Sequence, residues 1–201
     1  GSQLRRGLLT AGLRLHGKWD PVDAEVEGAF QTGSGCVPDA AGACTTDDVD
    51  QAGFFADAEV GFTLLGRLRL YVGFGQATGD DPDTKKNEAY NHLYPTAHKF
   101  LGYMDIIGPR SNVRELRGGA GYSYSDKRGT FNLDVHDFTR LQPTEERVGL
   151  EVDLTAGWKF YDALSGLVGW ALFLPDEGIS TGDEDPVGNA QWVFVQGVAK
   201  F

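Results

Sequence analysis

The chain has 201 residues, a formal net charge of -11, 28 glycines and only two cysteines. The acidic balance argues against nucleic acid and anionic lipid headgroups as general partners. Two cysteines are too few for a disulfide scaffold, a zinc ribbon or an iron–sulfur site, and without a run of about 18 apolar residues a helical membrane span is excluded.

Along the chain, period two dominates. In residues 7–19, Leu9, Ala11, Leu13, Leu15 and Trp19 alternate with Thr10, Arg14, His16 and Lys18, which predicts a long strand with one apolar and one polar face. After Asp20-Pro21, Ala24, Val26, Gly28 and Phe30 alternate with Glu25, Glu27 and Gln31. The next strands carry Ala56, Ala58, Val60 and Phe62 against Asp57 and Glu59, then Leu68, Leu70, Val72 and Phe74 against Arg67, Arg69 and Tyr71. Leu116 to Tyr124 oppose Glu115, Arg117 and Ser123, and Phe131, Leu133 and Val135 oppose Asn132, Asp134 and His136. Val148 to Phe160 oppose Glu151, Asp153, Thr155 and Lys159. Val168, Trp170 and Leu172 mark a further strand, and Val193 to Phe201 alternate with Gln196 and Lys200. The total is about nine strands of roughly 9–13 residues, with no helical period. Arg5, Arg114 and Asp137 fall on the apolar parity, near predicted strand ends.

Connections alternate in length. Short turns are predicted at Asp20-Pro21, Leu65-Gly66, 125–129 and 161–163, and long polar loops at about 33–52, 79–100 and 175–190, with a shorter one near 141–147. Short turns on one side, long loops on the other and long alternating strands predict an all-β, antiparallel, up-and-down transmembrane β-barrel. Trp19, Phe62, Tyr124, Trp158, Phe160 and Phe201 fall at the short-turn ends, where an interfacial girdle would lie. A soluble β-domain also alternates, but its strands average about 5–6 residues. Nine strands that begin at the long-loop rim predict that an N-terminal part precedes this segment, because single-chain bacterial barrels close with an even number. Residues 1–201 therefore read as one barrel segment.

The block Tyr94-Pro95-Thr96-Ala97-His98-Lys99-Phe100-Leu101-Gly102-Tyr103-Met104-Asp105 resembles the alginate export family of outer-membrane barrels. Residues 77–81, 148–154, 169–175 and 191–196 resemble further pieces of that family in the same order. The resemblance implies the C-terminal half of a monomeric barrel of about 18 strands in the outer membrane of a Gram-negative bacterium. It also implies passive passage of a polysaccharide, often an anionic one, along inner-wall Arg and Lys. No catalysis, cofactor or metal is expected, and the expected partners are outer-membrane lipid and a polysaccharide or small solute in the lumen.

On the polar parity, Arg6, Arg14, Lys18, Arg67, Arg69, Arg117, Arg140, Lys159 and Lys200 face a similar number of carboxylates. The wall therefore reads as near neutral, with the acidic surplus in the loops. Arg14, His16 and Lys18 form a basic stripe suited to carboxylates or sulfates, or else to cross-strand pairing with Glu25 and Glu27. Arg67 and Arg69 offer the same choice beside Asp57 and Glu59. Asp134 and His136 point inward together, and an outer-membrane enzyme would use such a pair. No Ser stands in a nucleophile motif, so a hydrogen-bond network with Arg140 is the expectation. Asp80, Asp81 and Asp83 lack EF-hand spacing and read as a solvated loop. Cys36 and Cys44 are expected to close a loop by a disulfide in an oxidising envelope. His98 and Lys99 lie where the long loop packs or folds into the mouth as a constriction.

Overall fold

Alternating sequences of this kind bury one face only when neighbouring strands pair in one register, because a slip of one residue turns every side chain over. In the computed structural model, which describes residues 7–38, 44–93, 101–176 and 188–200, that register is kept across nine antiparallel strands. They are β1 (Gly7–Trp19), β2 (Val22–Pro38), β3 (Cys44–Leu64), β4 (Leu68–Ala77), β5 (Val113–Tyr124), β6 (Gly129–Arg140), β7 (Glu146–Tyr161), β8 (Leu164–Pro175) and β9 (Ala190–Ala199). The single sheet has the order β1 to β9, so each strand pairs with its sequence neighbours. β1 and β9 are not paired with one another, and the sheet is open between them. No helix occurs among the described residues.

The two faces differ as the alternation predicts. Leu9, Leu13, Leu15, Val26, Val60, Val72, Leu116, Val168 and Val195 stand exposed on the outer face. The inner face carries Asp57, Glu115, Arg117, His136, Glu151 and Asp153, all buried. A water-soluble sandwich would show the reverse, apolar side chains buried and charges outside. The outer face is therefore the lipid face of a transmembrane β-barrel wall.

Its limits are marked chemically. At the short-turn rim, Tyr122, Tyr124 and Trp158 form a ring cluster, with centroids 6.4 Å and 5.6 Å apart in sequence. Trp19, Phe62 and Phe160 are exposed near the same rim. At the other rim, the outward charges that broke the alternation find partners: Arg114 pairs with Glu145, and Arg147 lies 2.9 Å from Asp137 and 2.7 Å from Asp176. From Leu150 to Trp158 the β7 backbone rises roughly 27 Å along the strand, comparable with the apolar band of about 25 Å in outer-membrane barrels.

The short turns fall as predicted. Between β3 and β4, Leu65 (φ 49°) and Gly66 (φ 66°) both take positive φ, and the Arg67 amide donates to the Leu64 carbonyl at 3.0 Å. This is the geometry whose twist matches the flanking strands. The loop expected at 33–52 is corrected: β2 and β3 continue as a paired ladder to Pro38 and Cys44, with Gly33 opposite Gln51 and Cys36 opposite Asp48. Backbone pairing carries the hairpin on past the alternating stretch, since ladder hydrogen bonds need no alternation of side chains. The side chains of Cys36 and Cys44 lie outside the described residues, as do Arg6 and Phe201.

The lipid-face assignment gives a direct test. Val72→Arg, in the middle of β4, should weaken folding into phospholipid vesicles by about 2–4 kcal/mol. Urea titration reads this, and an unchanged midpoint would place the outer face in water.

Candidate functional site

Charges cannot face lipid, so the alternation gathers them on the inner face, and the register decides which meet. Arg69 on β4 reaches Asp23 on β2, with Nε 3.0 Å from Oδ2, and Glu59 on β3 at 2.9 Å. Glu59 also accepts from Arg117 Nε at 3.2 Å. Arg117 on β5 forks onto Asp57, NH1 to Oδ2 at 2.8 Å and NH2 to Oδ1 at 2.9 Å, and reaches Glu115 at 3.0 Å. A Cβ at Gly73 would stand 2.7 Å from Arg117 Nε, so the absent side chain there is what admits the guanidinium. Glu115 continues the chain to His136 Nδ1 at 2.6 Å, whose Nε2 lies 3.6 Å from Asp153 on β7. The result is an unbroken ionic ladder across six strands, β2 to β7.

A loop is fastened onto it. Residues 78–93 and 101–112, between β4 and β5, turn back against the inner wall. Arg110 is buried and its NH2 lies 2.9 Å from Asp57 Oδ2, while its guanidinium sits 5.2 Å from the Phe55 ring centre. Tyr90 packs on Phe55 at 5.0 Å, and Asn91 exchanges two hydrogen bonds with Gln31, at 2.7 and 2.8 Å. Farther along, the Tyr103 amide donates to Asp153 Oδ2 at 3.2 Å and the Met104 amide to Glu151 Oε1 at 2.8 Å. Gly102 makes this approach possible: its φ is +77°, and a Cβ there would stand 2.3 Å from Glu151 Oε1. Tyr90, Leu101, Phe55, Val113, Phe138 and Phe173 form an apolar cluster beneath the loop. Glu151 Oε2 and Asp153 Oδ1 are buried with no hydrogen-bond partner among the described residues.

The expected site residues divide. Arg14 pairs with Glu25 at 2.9 Å and Glu27 at 3.9 Å, and His16 and Lys18 face Glu25 and Asp23 across the β1–β2 ladder. Arg69, Arg117 and His136 belong to the ladder described above. Arg67 is exposed in the short turn, not beside Asp57 and Glu59. Lys159 lies at the same rim, its Nζ 2.6 Å from Asp162, and the ammonium holds that carboxyl below the ordinary range. Arg140 is exposed at the opposite rim as the last residue of β6, so it does not join His136. Asp134 accepts a hydrogen bond from the Tyr71 hydroxyl. His98 and Lys99 lie outside the described residues.

The middle of the wall holds Arg14, level with Asp57 and paired with Glu25 and Glu27, and Arg69, Arg110 and Arg117 among Asp23, Asp57, Glu59, Glu115, Asp134, Glu151 and Asp153. Arg67, Arg140 and Lys159 sit at rims or turns. Sequence reasoning missed Arg110, Tyr90 and the Tyr103–Met104 amides; the signal for the last two was the distinctive 94–105 block itself. Among the described residues, no group of three or more His, Cys, Asp or Glu is placed to hold a metal ion. In the acidic loop, Asp80 and Asp81 accept the Glu88 and Asp83 amides at 3.1 and 2.9 Å.

An open sheet of this design is part of a barrel wall. The alginate export family model matches residues 2–146, and the chain belongs to the alginate export family of outer-membrane barrels. Residues 148–154, 169–175 and 191–196 lie past the matched stretch. No curated protein matches the chain. It is similar to OmpT, an outer membrane protein of Vibrio cholerae, at 14% identity and a TM-score of 0.50, over 83% of this chain and 45% of that one. Its similarity to OccK5 (OpdH) of Pseudomonas aeruginosa is 13% identity and a TM-score of 0.53, over 96% of this chain and 51% of that one. The chain thus spans about half the length of these solved structures. Family and fold together locate the protein in the outer membrane of a Gram-negative bacterium.

Two outcomes test the ladder and its loop. Arg117→Met leaves the buried Asp57 and Glu115 and the part-buried Glu59 without their shared counterion and should cost about 3–5 kcal/mol of unfolding free energy in vesicles; a loss below about 1 kcal/mol is what a solvated surface pair would give. Gly102→Ala should abolish the slow hydrogen exchange of the Tyr103 and Met104 amides while the β5–β6 ladder stays protected. Persisting protection at both amides would mean the loop is held elsewhere.

Proposed function

We propose that this chain forms part of the wall of an outer-membrane channel for passive passage of polysaccharide, with outer-membrane lipid as its surroundings. The observation that carries the reading is the inward-folded connection between β4 and β5, bolted by Arg110 to Asp57 and by the Tyr103 and Met104 amides to β7. A loop held by that many bonds against a charged inner wall narrows a water-filled lumen without sealing it by an apolar plug. Conduction needs contacts favourable enough to enter and weak enough to leave, and a ladder whose guanidinium groups are already paired with carboxylates supplies many weak ones. No bond of the cargo has to break, so no catalytic group or cofactor is required.

The open edges support a larger assembly. In hydrocarbon every backbone N–H and C=O must be paired, so the free edges of β1 and β9 require further strands. One monomeric barrel of about 18 strands satisfies both edges with an even number. A general porin for small solutes is the second reading, favoured by the engagement of Arg69, Arg110 and Arg117 with wall carboxylates, which leaves few cations for an anionic polymer.

Planar-bilayer recordings of the full protein decide between them. Stepwise conductance is expected, together with transient block by an added polysaccharide. Steps that no polysaccharide interrupts would leave the porin reading standing. Arg110→Ala should raise single-channel conductance by freeing the loop, whereas an unchanged step size would show that the loop does not set the bore.

A further inference from the structure

The acidity of the chain does not extend to its short-turn rim. The turn between β5 and β6 takes positive φ at Ser125, Asp126 and Lys127, and the Arg128 amide closes it by donating to the Ser125 carbonyl at 3.0 Å. The Arg128 carbonyl accepts the Lys159 amide at 2.8 Å, which fixes this turn beside the one between β7 and β8. Between the two lies a cleft of about 710 Å³, walled by Lys127, Arg128, Lys159, Phe160 and Tyr161 together with the carboxylates of Asp126 and Asp162. Lys200 adjoins it, its amide donating to the Ala163 carbonyl at 2.9 Å. Four exposed cations therefore stand around two carboxylates. Among the described residues, only Lys159 of the four makes a direct ion pair, with Asp162 at 2.6 Å. The Asp162 carboxyl is fully open to water and is still held below the ordinary carboxylate range, first by Lys159 and further by the charge of Arg128. The local field is positive.

We propose that this cleft binds the phosphodiester headgroup of an anionic glycerophospholipid. Its depth selects a lipid. The ring cluster of Tyr122, Tyr124 and Trp158 marks the same rim, Phe160 is 50% exposed and Tyr161 74%. Cations at the level of an aromatic belt stand where headgroups lie, and the short turns of such barrels face the periplasmic leaflet. Arg128 offers a planar fork for two phosphate oxygens, and Lys127 and Lys200 offer mobile point charges. Phe160, on the same parity as Trp158, offers apolar surface to the upper part of an acyl chain, which a free phosphate ester does not have. The site concerns the membrane around the wall and holds whichever solute passes along its inner face.

The test is native mass spectrometry of the full protein, released from neutral-detergent micelles doped with equal amounts of phosphatidylglycerol and phosphatidylcholine of matched chains. Phosphatidylglycerol should be retained preferentially. The double variant Lys127→Gln, Arg128→Gln should lower its retention about fivefold or more, with the unfolding midpoint in vesicles unchanged. Arg128→Lys should keep most of the retention, and Arg140→Gln, at the opposite rim, should keep all of it. Raising the ionic strength should weaken the preference of the native protein, because exposed charges are screened; this measurement stands even if the double variant does not fold. Equal retention of the two lipids, an undiminished preference in the double variant, or a preference indifferent to salt would each overturn the site. Displacement of the lipid by glycerol phosphate at equal concentration would overturn the lipid as its occupant.

Discussion

The inner wall is organised around one guanidinium. Arg117 is 3% exposed and touches Asp57, Glu59 and Glu115 at once, so it neutralises two carboxylates of β3 and one of its own strand. Without it, β3 and β5 would each bring buried negative charge toward the single arginine of β4. Through Glu59 it is linked to Arg69, through Glu115 to His136, and through Asp57 to Arg110 of the loop. Wall and loop thus share one counterion. The arrangement depends on an omission as much as on a charge, because the site where Arg117 lies is the space a side chain at residue 73 would fill.

How much of this was legible follows from what each residue answers to. Lipid contact is a demand on every second residue, so the parity of Leu13, Val60, Val72 and Leu154 showed in the sequence and predicted both the strands and the face each charge would take. Pairing within the ladder is a demand of register and rotamer. Arg67 and Arg69 look alike in sequence, yet one lies in a turn and the other grips Asp23. The 33–52 hairpin was hidden because its strands run on past the alternating stretch, and ladder pairing needs no alternation. Arg114 and Asp137 looked like errors of parity and are instead rim charges with partners, on the outer face but past the apolar band.

The inner aromatic residues carried a signal of a different kind. Phe55, Phe138 and Phe173 fall on the polar parity near the long-loop ends of their strands, and Trp192 and Phe194 do so on β9. A wall apolar on both faces at one end must be covered there from inside. The first group is covered by Tyr90 and Leu101 of the loop, and the second is partly covered by Tyr103. Read this way, two-sided apolar strand ends announce an inward loop before any contact is known.

The strict order of the sheet also bears on how such a wall is assembled. Each of the hairpins β1–β2, β3–β4, β5–β6 and β7–β8 is closed by a turn of a few residues, so its ends meet at small entropic cost. Each can pair before it meets its neighbours and enter a bilayer as a two-stranded unit, turn end trailing. Two of the joints between units, β4–β5 and β8–β9, are long loops, which tolerate delay. The inward loop links the second unit to the third, yet its anchors reach from β2 to β9. It can lock only after the strands on both sides have arrived, which makes the docking of the loop a late event in the biogenesis of the wall.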